Sequence, residues 1–240
     1  MAAEPRVALV TGGGGVIGAA VVRTLSACGM RLAVGYHKGA SAAEELAAGL
    51  PDALAVPLDV ADPDAVRGAF RRSAEALGPV TVLVNAAGVL RDRPALRMRD
   101  QDWDDVLRVN LTGVFHCVRQ ALPSMITQRF GRIVSIGSVS GAIGLPGQSN
   151  YAAAKAGLVG FTRSVARETG RHGVTANVVA PGLVDSPLIA GLDAPARERI
   201  VGSTATGQFV TPEEVANAVR FCVDTAAVTG QLINVDGGLC

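Results

Sequence analysis

A tyrosine and a lysine four residues apart form the pair in this chain best suited to acid–base chemistry. Lys155 follows Tyr151 in Tyr151-Ala-Ala-Ala-Lys155 and is one of only two lysines among 22 basic residues. Arginine does not replace lysine where a compact, hydrated point charge on a flexible stem is needed. Helical residues i and i+4 share one face, roughly 5–6 Å apart at Cβ. We expect the ammonium to lower the phenol pKa from about 10, so that Tyr151 exchanges a proton with an oxygen at a carbonyl–alcohol carbon.

The segment around this pair is rich in alanine, which favours a helix over residues 149–168. The motif taken alone is as compatible with a chance surface pair as with catalysis. The strands and helices around the Tyr151–Lys155 pair therefore decide between a chance surface pair and a catalytic one.

A glycine-rich turn follows the first apolar run of the chain. The sequence predicts a buried strand, Arg6–Thr11, then the turn, then a helix from Val16 to Cys28. This order is typical of a dinucleotide site, where glycines admit the pyrophosphate and the helix N-terminus offers free N–H groups. Taken alone, the glycines are equally explained by a tight strand–helix turn. The residues expected to contact the pyrophosphate are Gly12, Gly14, Gly15, Val16, Ile17 and Gly18.

Composition restricts the class of protein. A chain of 240 residues, 49% hydrophobic and 18% charged, fits one α/β domain over residues 1–240. A net charge of +1 gives no reason to expect nucleic acid or membrane binding. The four cysteines lack metal-ligand spacing, so we expect no metal site and a reducing compartment. No signal peptide or long apolar run is recognisable, and we expect a soluble, cytoplasmic protein.

Strand-like runs alternate with amphipathic helices along the chain. Because most of these runs are continuously apolar, they predict a parallel sheet covered on both faces. We therefore predict an α/β fold, a Rossmann-like doubly wound sheet of seven parallel strands. An irregular stretch over residues 181–210 is expected to act as a lid. Helix starts are predicted at Ser41, Asp62 and Thr211. The predicted strands are Arg6–Thr11, Arg31–Tyr36, Ala53–Leu58, Val80–Asn85, Arg132–Ile136, Thr175–Ala180 and Gln231–Val235.

Four further motifs stand in order beside the glycine turn and the Tyr151 helix. They are Asn85-Ala86-Ala87-Gly88 after the fourth strand, Asn110 in a helix, Ser138 after the fifth strand and Pro181-Gly182 after the sixth. Together they resemble the short-chain dehydrogenase/reductase family, and within it the 3-oxoacyl-[acyl-carrier-protein] reductases. The resemblance covers the chain from end to end.

The resemblance implies a role for each motif. Ser138 would hold the substrate oxygen, Tyr151 would protonate it, and Lys155 would also bind the nicotinamide ribose. The backbone carbonyl of Asn110 would hold a water of the proton relay. The remaining cofactor contacts implied are Asn85, Ala86 and Gly88 on the adenine-ribose side, and Pro181, Gly182, Val184 and Ser186 near the nicotinamide carboxamide.

The end of the second strand bears on the choice of cofactor. NAD sites place an acidic residue there, whereas this chain has His37 and Lys38, which can pair with a 2′-phosphate. We therefore expect NADPH, the alternative being that Lys38 is an ordinary solvated charge. Asp59, followed by Val60, either accepts from the adenine amino group or caps the next turn.

Two residues depart from the family pattern. Val16 stands where single-domain members have glycine, which adds a β-branched side chain where the backbone should approach phosphate. Gly15 stands where many NADPH-using members have arginine. Because of these two departures, the sequence does not determine the shape of the glycine turn.

The resemblance implies NADPH-dependent reduction of a 3-oxoacyl thioester on acyl carrier protein, in fatty acid or polyketide synthesis. A small alcohol or polyol dehydrogenase and a cofactor-sensing or scaffold protein are the alternatives. Arg129 and Arg171 precede neighbouring strands and are expected to form a basic docking surface for the acidic carrier near the site mouth. A homotetramer is expected to form through the Tyr151 helix, whose small residues are Ala152, Ala153, Ala154, Ala156, Gly157 and Gly160.

Overall fold

Strands and helices alternate along the chain in the computed structural model, which describes residues 6–185, 198 and 201–240. The strands of the described part are β1 (Val7–Thr11), β2 (Arg31–Tyr36), β3 (Ala53–Pro57), β4 (Val80–Asn85), β5 (Gly131–Ile136), β6 (Val174–Pro181) and β7 (Leu232–Val235). Its α-helices are α1 (Val16–Ala27), α2 (Ala40–Ala48), α3 (Pro63–Leu77), α4 (Asp100–Leu107), α5 (Gly113–Thr127), α6 (Ser140–Ile143), α7 (Ser149–Thr169) and α8 (Pro212–Asp224). Short 3₁₀ turns span Ala95–Arg97 and Gly170–His172, and a π-helical turn spans Arg108–Thr112.

The seven strands form one parallel sheet in the order β3-β2-β1-β4-β5-β6-β7. The order reverses direction between β1 and β4, as in doubly wound folds. The predicted fold class is therefore confirmed, and the strand limits differ from the predicted ones by one residue or, at β2 and β4, not at all.

Alternate residues of each strand pack against opposite layers of helices. In β1, Val7 and Leu9 join a core with α3, α5 and α7, whereas Ala8 and Val10 join a core with α1, α2 and α8. Successive side chains of a strand point to opposite faces, so a run without polar residues requires cover on both sides. This arrangement explains why the strands read as continuous apolar segments.

Two of the three predicted helix starts are correct. The Asp62 side chain accepts from the N–H of Asp64 at the start of α3, and Thr211 and Glu214 form a reciprocal capping box at α8. The prediction at Ser41 is wrong, because α2 already begins at Ala40 after Gly39. Gly39 has φ of +72°, and a residue without a Cβ makes this sharp entry possible.

Parallel pairing brings the carboxyl ends of β1, β4, β5 and β6 to one edge of the sheet. Thr11 lies beside Asn85, which lies beside Ser135, and Ile136 lies beside Val179. The segments that follow these strands therefore meet at one edge, where open α/β sheets bind ligands. In the described part of the chain, no helix is long and apolar enough to cross a membrane.

Candidate active site

A cavity of about 520 Å³ lies at this carboxyl edge, between the glycine turn and the segments that follow β2, β3 and β4. Nine of the residues predicted to contact the cofactor line it. They are Gly12, Gly14, Gly15, His37, Lys38, Asp59, Val60, Ala86 and Gly88. The cavity therefore combines the ends of four strands that are far apart in the sequence.

The glycine turn is held close to the segment after β4. Gly12 has φ of +63°, and a Cβ there would lie 2.9 Å from Cα of Ala87. A Cβ at Gly18 would collide with the carbonyl oxygen of Gly12. The Thr11 hydroxyl accepts from the N–H groups of Ala86 and Ala87, both at 3.1 Å, which ties the two segments together.

Val16 fits this turn despite its branched side chain. It is the first residue of α1, its side chain is exposed, and Gly15 occupies the N-cap position in an extended conformation. Among the described residues, no side chain caps this helix. The N–H groups of its first turn are thus free to bind an anion, as a dinucleotide pyrophosphate requires. The cradle fits that group with valine at position 16.

At the other end of the cavity, His37 and Asp59 face each other. The His37 Nε2 lies 3.6 Å from Oδ2 of Asp59, whose Oδ1 accepts from the N–H of Ala61 at 2.9 Å. Asp59 therefore caps the turn after β3, one of the two roles considered for it, while it also lines the cavity. His37 and Lys38 are both exposed, so the imidazole and the ammonium can donate hydrogen bonds to a ligand phosphate.

Asn110 lies in the π-helical turn Arg108–Thr112 and is almost fully buried. Its side chain accepts from the N–H of Val89 at 2.8 Å and donates to the Val89 carbonyl at 2.9 Å. Single π-helical turns are frequent at functional sites. The side chain of Asn110 thus fixes the segment after β4, a contact that the sequence did not indicate.

Asn85 lies behind the cavity. It is buried at the end of β4, and its Nδ2 donates to Oγ of Ser135 at 3.2 Å. Of the motif Asn85–Gly88, the backbone of the last three residues therefore forms the cavity wall, and the asparagine side chain links two strands.

Ser138, Tyr151 and Lys155 come together where β5 meets α7. Lys155 Nζ is buried and donates to the carbonyl of Ile136 at 2.7 Å, and it lies 5.4 Å from the ring centre of Tyr151. The hydroxyl of Ser138 lies near the Tyr151 phenol and acts on its pKa. Helix α7 spans Ser149–Thr169, as predicted, so the four-residue spacing puts both side chains on one face.

The expected direction of the Tyr151 pKa shift is wrong for the free protein. Burial raises the pKa of the phenol, the nearby Ser138 hydroxyl lowers it by less, and the charge of Asp92 raises it. Burial also lowers the pKa of Lys155 from 10.5 to about 8. Desolvation disfavours the charged form of both groups, and it outweighs the attraction expected from their spacing. Tyr151 is therefore held in its protonated, acid form.

The Pro181-Gly182 segment lies beside the Ser138 segment. The Pro181 carbonyl accepts from the N–H of Val139 at 3.1 Å, and the N–H of Gly182 donates to Val235 at 2.9 Å. Val184 forms a parallel bridge with Val210. Ser186 and most of the predicted lid lie outside the described residues.

Several polar residues near the cavity were not predicted. Arg91, Asp105 and Arg108 line it, and Arg108 donates to Oδ1 of Asp105 at 3.0 Å. No local motif marks them, because the segment between β4 and α5 reaches the cavity only after α4 folds over it. The one available signal was Asp105 itself, an acidic residue in the helix that begins at Asp100.

A buried carboxylate anchors the same segment to α7. Asp102 receives a bidentate hydrogen bond from Arg99, which lowers its pKa to about 2, and Arg93 Nε lies 2.9 Å from it. The Asn150 side chain donates to the backbone carbonyls of Asp102 and Arg91. Asn150 directly precedes Tyr151, so this anchor also holds the start of α7.

Arg129 and Arg171 lie side by side, but not at the site. Arg129 donates to the Arg171 carbonyl at 3.3 Å. Both precede the strands β5 and β6, so they occupy the amino edge of the sheet, whereas Ser138 follows β5 at the carboxyl edge. A strand of six residues separates the two edges by about 20 Å. The expectation that they border the site mouth of the same chain is therefore wrong.

Comparison with known proteins places the chain in a large group of enzymes. Residues 6–196 match the family described as short chain dehydrogenase. The chain is 43% identical over 241 residues to a 3-oxoacyl-[acyl-carrier-protein] reductase of Synechocystis sp., covering 98% of this chain and 96% of the relative. It is 40% identical to the reductase of that name from Staphylococcus aureus, with 97% of each chain covered. The Escherichia coli protein of the same name is 38% identical, with 98% of each chain covered.

Proposed function

The chain belongs to the short chain dehydrogenase family and is a nicotinamide-dependent oxidoreductase, and from this premise we propose that it reduces a 3-oxoacyl thioester on acyl carrier protein to the 3-hydroxyacyl form. The observation that carries the proposal is the cluster of Ser138, Tyr151 and Lys155 at the same edge of the sheet as the cavity lined by the glycine turn. Near full-length similarity to three reductases of that name supports the choice of substrate.

The chemistry of the side chains fits a ketone reduction. A reduced nicotinamide dinucleotide, when bound, supplies the hydride that the carbonyl carbon accepts. Tyr151 gives its phenolic proton to the carbonyl oxygen, and the hydroxyl of Ser138 donates to the same oxygen. A phenol whose pKa is raised by burial is protonated at neutral pH, so it holds the proton that a general acid must give.

Lys155 and Asn110 support this acid. The ammonium of Lys155 is held by the Ile136 carbonyl on the Tyr151 side of the sheet edge, from where it stabilises negative charge on the phenol oxygen. Asn110 holds Val89 and so keeps the cavity wall in place. Retention of all four residues argues against a scaffold protein without turnover.

NADPH is the proposed cofactor. The turn after β2 offers His37 and Lys38, both exposed at the cavity, and it contains no acidic residue to hold the ribose hydroxyls. A dianionic 2′-phosphate accepts hydrogen bonds from an ammonium and an imidazole, whereas NADH has no phosphate at this position. Gly15 stands where many relatives have an arginine that binds the 2′-phosphate. The selectivity for NADPH over NADH therefore depends on His37 and Lys38.

Oxidation of NADPH, followed by its absorbance, tests the proposal directly. Three substrates are compared: a 3-oxoacyl thioester on acyl carrier protein, the same acyl group on a small thiol, and a panel of simple ketones. The proposal expects the highest kcat/KM with the carrier-bound substrate. Turnover of simple alcohols and ketones alone would instead support a small alcohol dehydrogenase, and no turnover of any carbonyl would support a scaffold protein.

Carrier docking at Arg129 and Arg171 is a separate part of the proposal. Two adjacent cations attract an acidic carrier, but they lie a strand length from Ser138 of the same chain. A carrier bound there would therefore serve the site of a neighbouring subunit. Arg129→Glu with Arg171→Glu should lower kcat/KM on the carrier-bound substrate, more so at low salt, while the small thioester reacts as before.

The matched control changes two exposed arginines elsewhere, Arg23→Glu with Arg72→Glu, which alters the net charge equally. This control should reduce the carrier-bound substrate much faster than the first double variant. Equal losses on both substrates in the Arg129 and Arg171 variant would show that these arginines support the fold and not the carrier.

A further inference from the structure

A chain of hydrogen bonds runs from Ser138 to the surface of the protein. Ser138 Oγ donates to Oγ of Ser140 at 3.2 Å, and Ser140 Oγ donates to Oε1 of Gln148 at 3.0 Å. The Gln148 Nε2 donates to Oδ2 of Asp92 at 2.8 Å. Ser140 is buried, Gln148 is half-buried and Asp92 is exposed, so the chain leads outward from the site.

The chemistry of its outer end sets the direction of this chain. An ionised carboxylate only accepts hydrogen bonds, so the amide group facing Asp92 must be the NH₂ of Gln148. The amide oxygen then faces Ser140 and requires its hydroxyl proton. Ser140 Oγ in turn accepts the proton of Ser138, and the N–H of Ser140 donates back to Ser138 Oγ at 3.1 Å. Every hydroxyl of the chain therefore has a defined partner.

Other contacts tie the same two segments together without touching Ser138. The N–H of Arg93 donates to the Gly147 carbonyl at 2.8 Å, and Asn150 donates to the Arg91 carbonyl at 3.1 Å. Arg91 also lines the cofactor cavity. A variant that weakens only these contacts between the two segments should therefore change the affinity for the cofactor. A variant that displaces Ser138 should instead change turnover.

We propose that Ser140, Gln148 and Asp92 are positioning residues for Ser138. The carboxylate orients the amide, the amide orients Ser140, and Ser140 holds the oxygen of Ser138 against the phenol of Tyr151. When a substrate carbonyl arrives, the Ser138 proton turns to it while the N–H of Ser140 keeps the oxygen in place. Because the Ser140 hydroxyl has already selected this rotamer of Ser138, only the hydroxyl proton has to turn as charge develops, which lowers the barrier.

The inference rests on the proposed function, because its readout is turnover of a carbonyl substrate. Ser140→Ala cuts the chain in its middle and leaves the bond between Gln148 and Asp92 intact. We expect kcat on the 3-oxoacyl thioester to fall about tenfold, a modest loss of preorganisation. The Kd for NADPH and the Tm should stay at the wild-type values. Ser149→Ala is the matched control, since Ser149 is exposed and its hydroxyl contacts Met98 and not the chain.

A charge exchange at the outer end tests the direction of the chain. Gln148→Glu puts two carboxylates against each other, which should displace the side chain from Ser140 and lower kcat. Adding Asp92→Asn supplies a donor to the new carboxylate, whose second oxygen again accepts from Ser140, so kcat should largely recover. In the Ser140→Ala background, Gln148→Glu should cause no further loss of kcat, because residues of one chain act non-additively.

Two results would overturn the inference. One is a Ser140→Ala enzyme whose kcat equals or exceeds that of the wild type, and the other is a double exchange that leaves kcat as low as Gln148→Glu does. A loss confined to NADPH affinity or Tm would show that these residues form only a tether. A wild-type enzyme that reduces no carbonyl would instead contradict the proposed function, which distinguishes the two failures.

Discussion

Burial sets the protonation of Tyr151 and Lys155, the two proposed catalytic side chains that the sequence places on one helix face. Lys155 lies behind the phenol with its Nζ on a backbone carbonyl, and desolvation lowers its pKa to about 8. The same desolvation raises the pKa of Tyr151. In the free protein the phenol is therefore protonated, and Lys155 releases its proton more easily than an exposed lysine does.

Tyr151→Phe tests the acid. The variant should lose at least about 10²-fold in kcat, because the ring stays in place but no proton is available to the carbonyl oxygen. Its Kd for NADPH, measured by fluorescence, should remain near the wild-type value. An enzyme that kept more than about a tenth of wild-type turnover would rule out this role.

The pKa of Lys155 links its burial to stability. Between about pH 8 and 10.5 the unfolded chain binds a proton at Lys155 that the folded chain does not. The free energy of unfolding should therefore rise with pH across this window, relative to Lys155→Met, by at most about 3 kcal/mol. Below pH 8 both states are protonated and the difference should be constant.

Denaturant unfolding of both proteins at a series of pH values from 7 to 10.5 measures this difference. Lys38→Met is the control, because Lys38 is exposed and the variant should follow the wild-type pH dependence. Parallel curves for the wild type and Lys155→Met would contradict the depressed pKa of Lys155.

At the scale of elements, the site is formed by the segments that follow parallel strands. The turn after β1 presents the uncapped start of α1, and the turn after β2 presents His37 and Lys38. The segment after β4 is held from two sides, by Thr11 and by Asn110. Because each segment is anchored to a strand, the cavity is already shaped in the free protein.

The turn after β2 should decide between the two nicotinamide cofactors. Lys38→Ala should lower the ratio of kcat/KM for NADPH to that for NADH by about tenfold or more, since a charged hydrogen bond to phosphate is lost. The Kd for NADPH should rise by a similar factor. Arg23→Ala removes an exposed cation away from the cavity and should leave both values unchanged. A wild-type preference for NADH would exclude the NADPH proposal.

At the scale of the molecule, α7 offers a face for assembly. Of its six small residues, Ala154 is buried and a Cβ at Gly157 would lie 3.1 Å from Leu111, so this part of the helix already packs inside the chain. Ala153, Ala156 and Gly160 are exposed along one side. Strand β7 forms an edge of the sheet and is only half-buried. Both surfaces support the homotetramer expected from the sequence, because an exposed sheet edge can pair with another chain and small side chains let a second helix approach closely.

Light scattering at micromolar concentration should therefore report about four times 24.4 kDa. Gly160→Arg should reduce this mass, because a side chain there meets no atom of its own chain but blocks close approach of a second helix. Gly68→Arg is the matched control, since a Cβ there also lies in open space. A wild type of 24.4 kDa would exclude the tetramer, and with it carrier docking across subunits.

The sequence by itself determined the seven strands, the dinucleotide turn and the shared face of Tyr151 and Lys155. These features depend on neighbours within a few residues, through apolar runs, glycine positions and helical spacing. The tertiary structure alone decided the protonation of Tyr151 and Lys155, the hydrogen bonds of Asn110 and Ser140, and the edge of the sheet at which Arg129 lies. Each of these depends on the distance between segments far apart in the chain and on how much water their packing excludes. Neither quantity can be predicted from residues that are neighbours in the sequence.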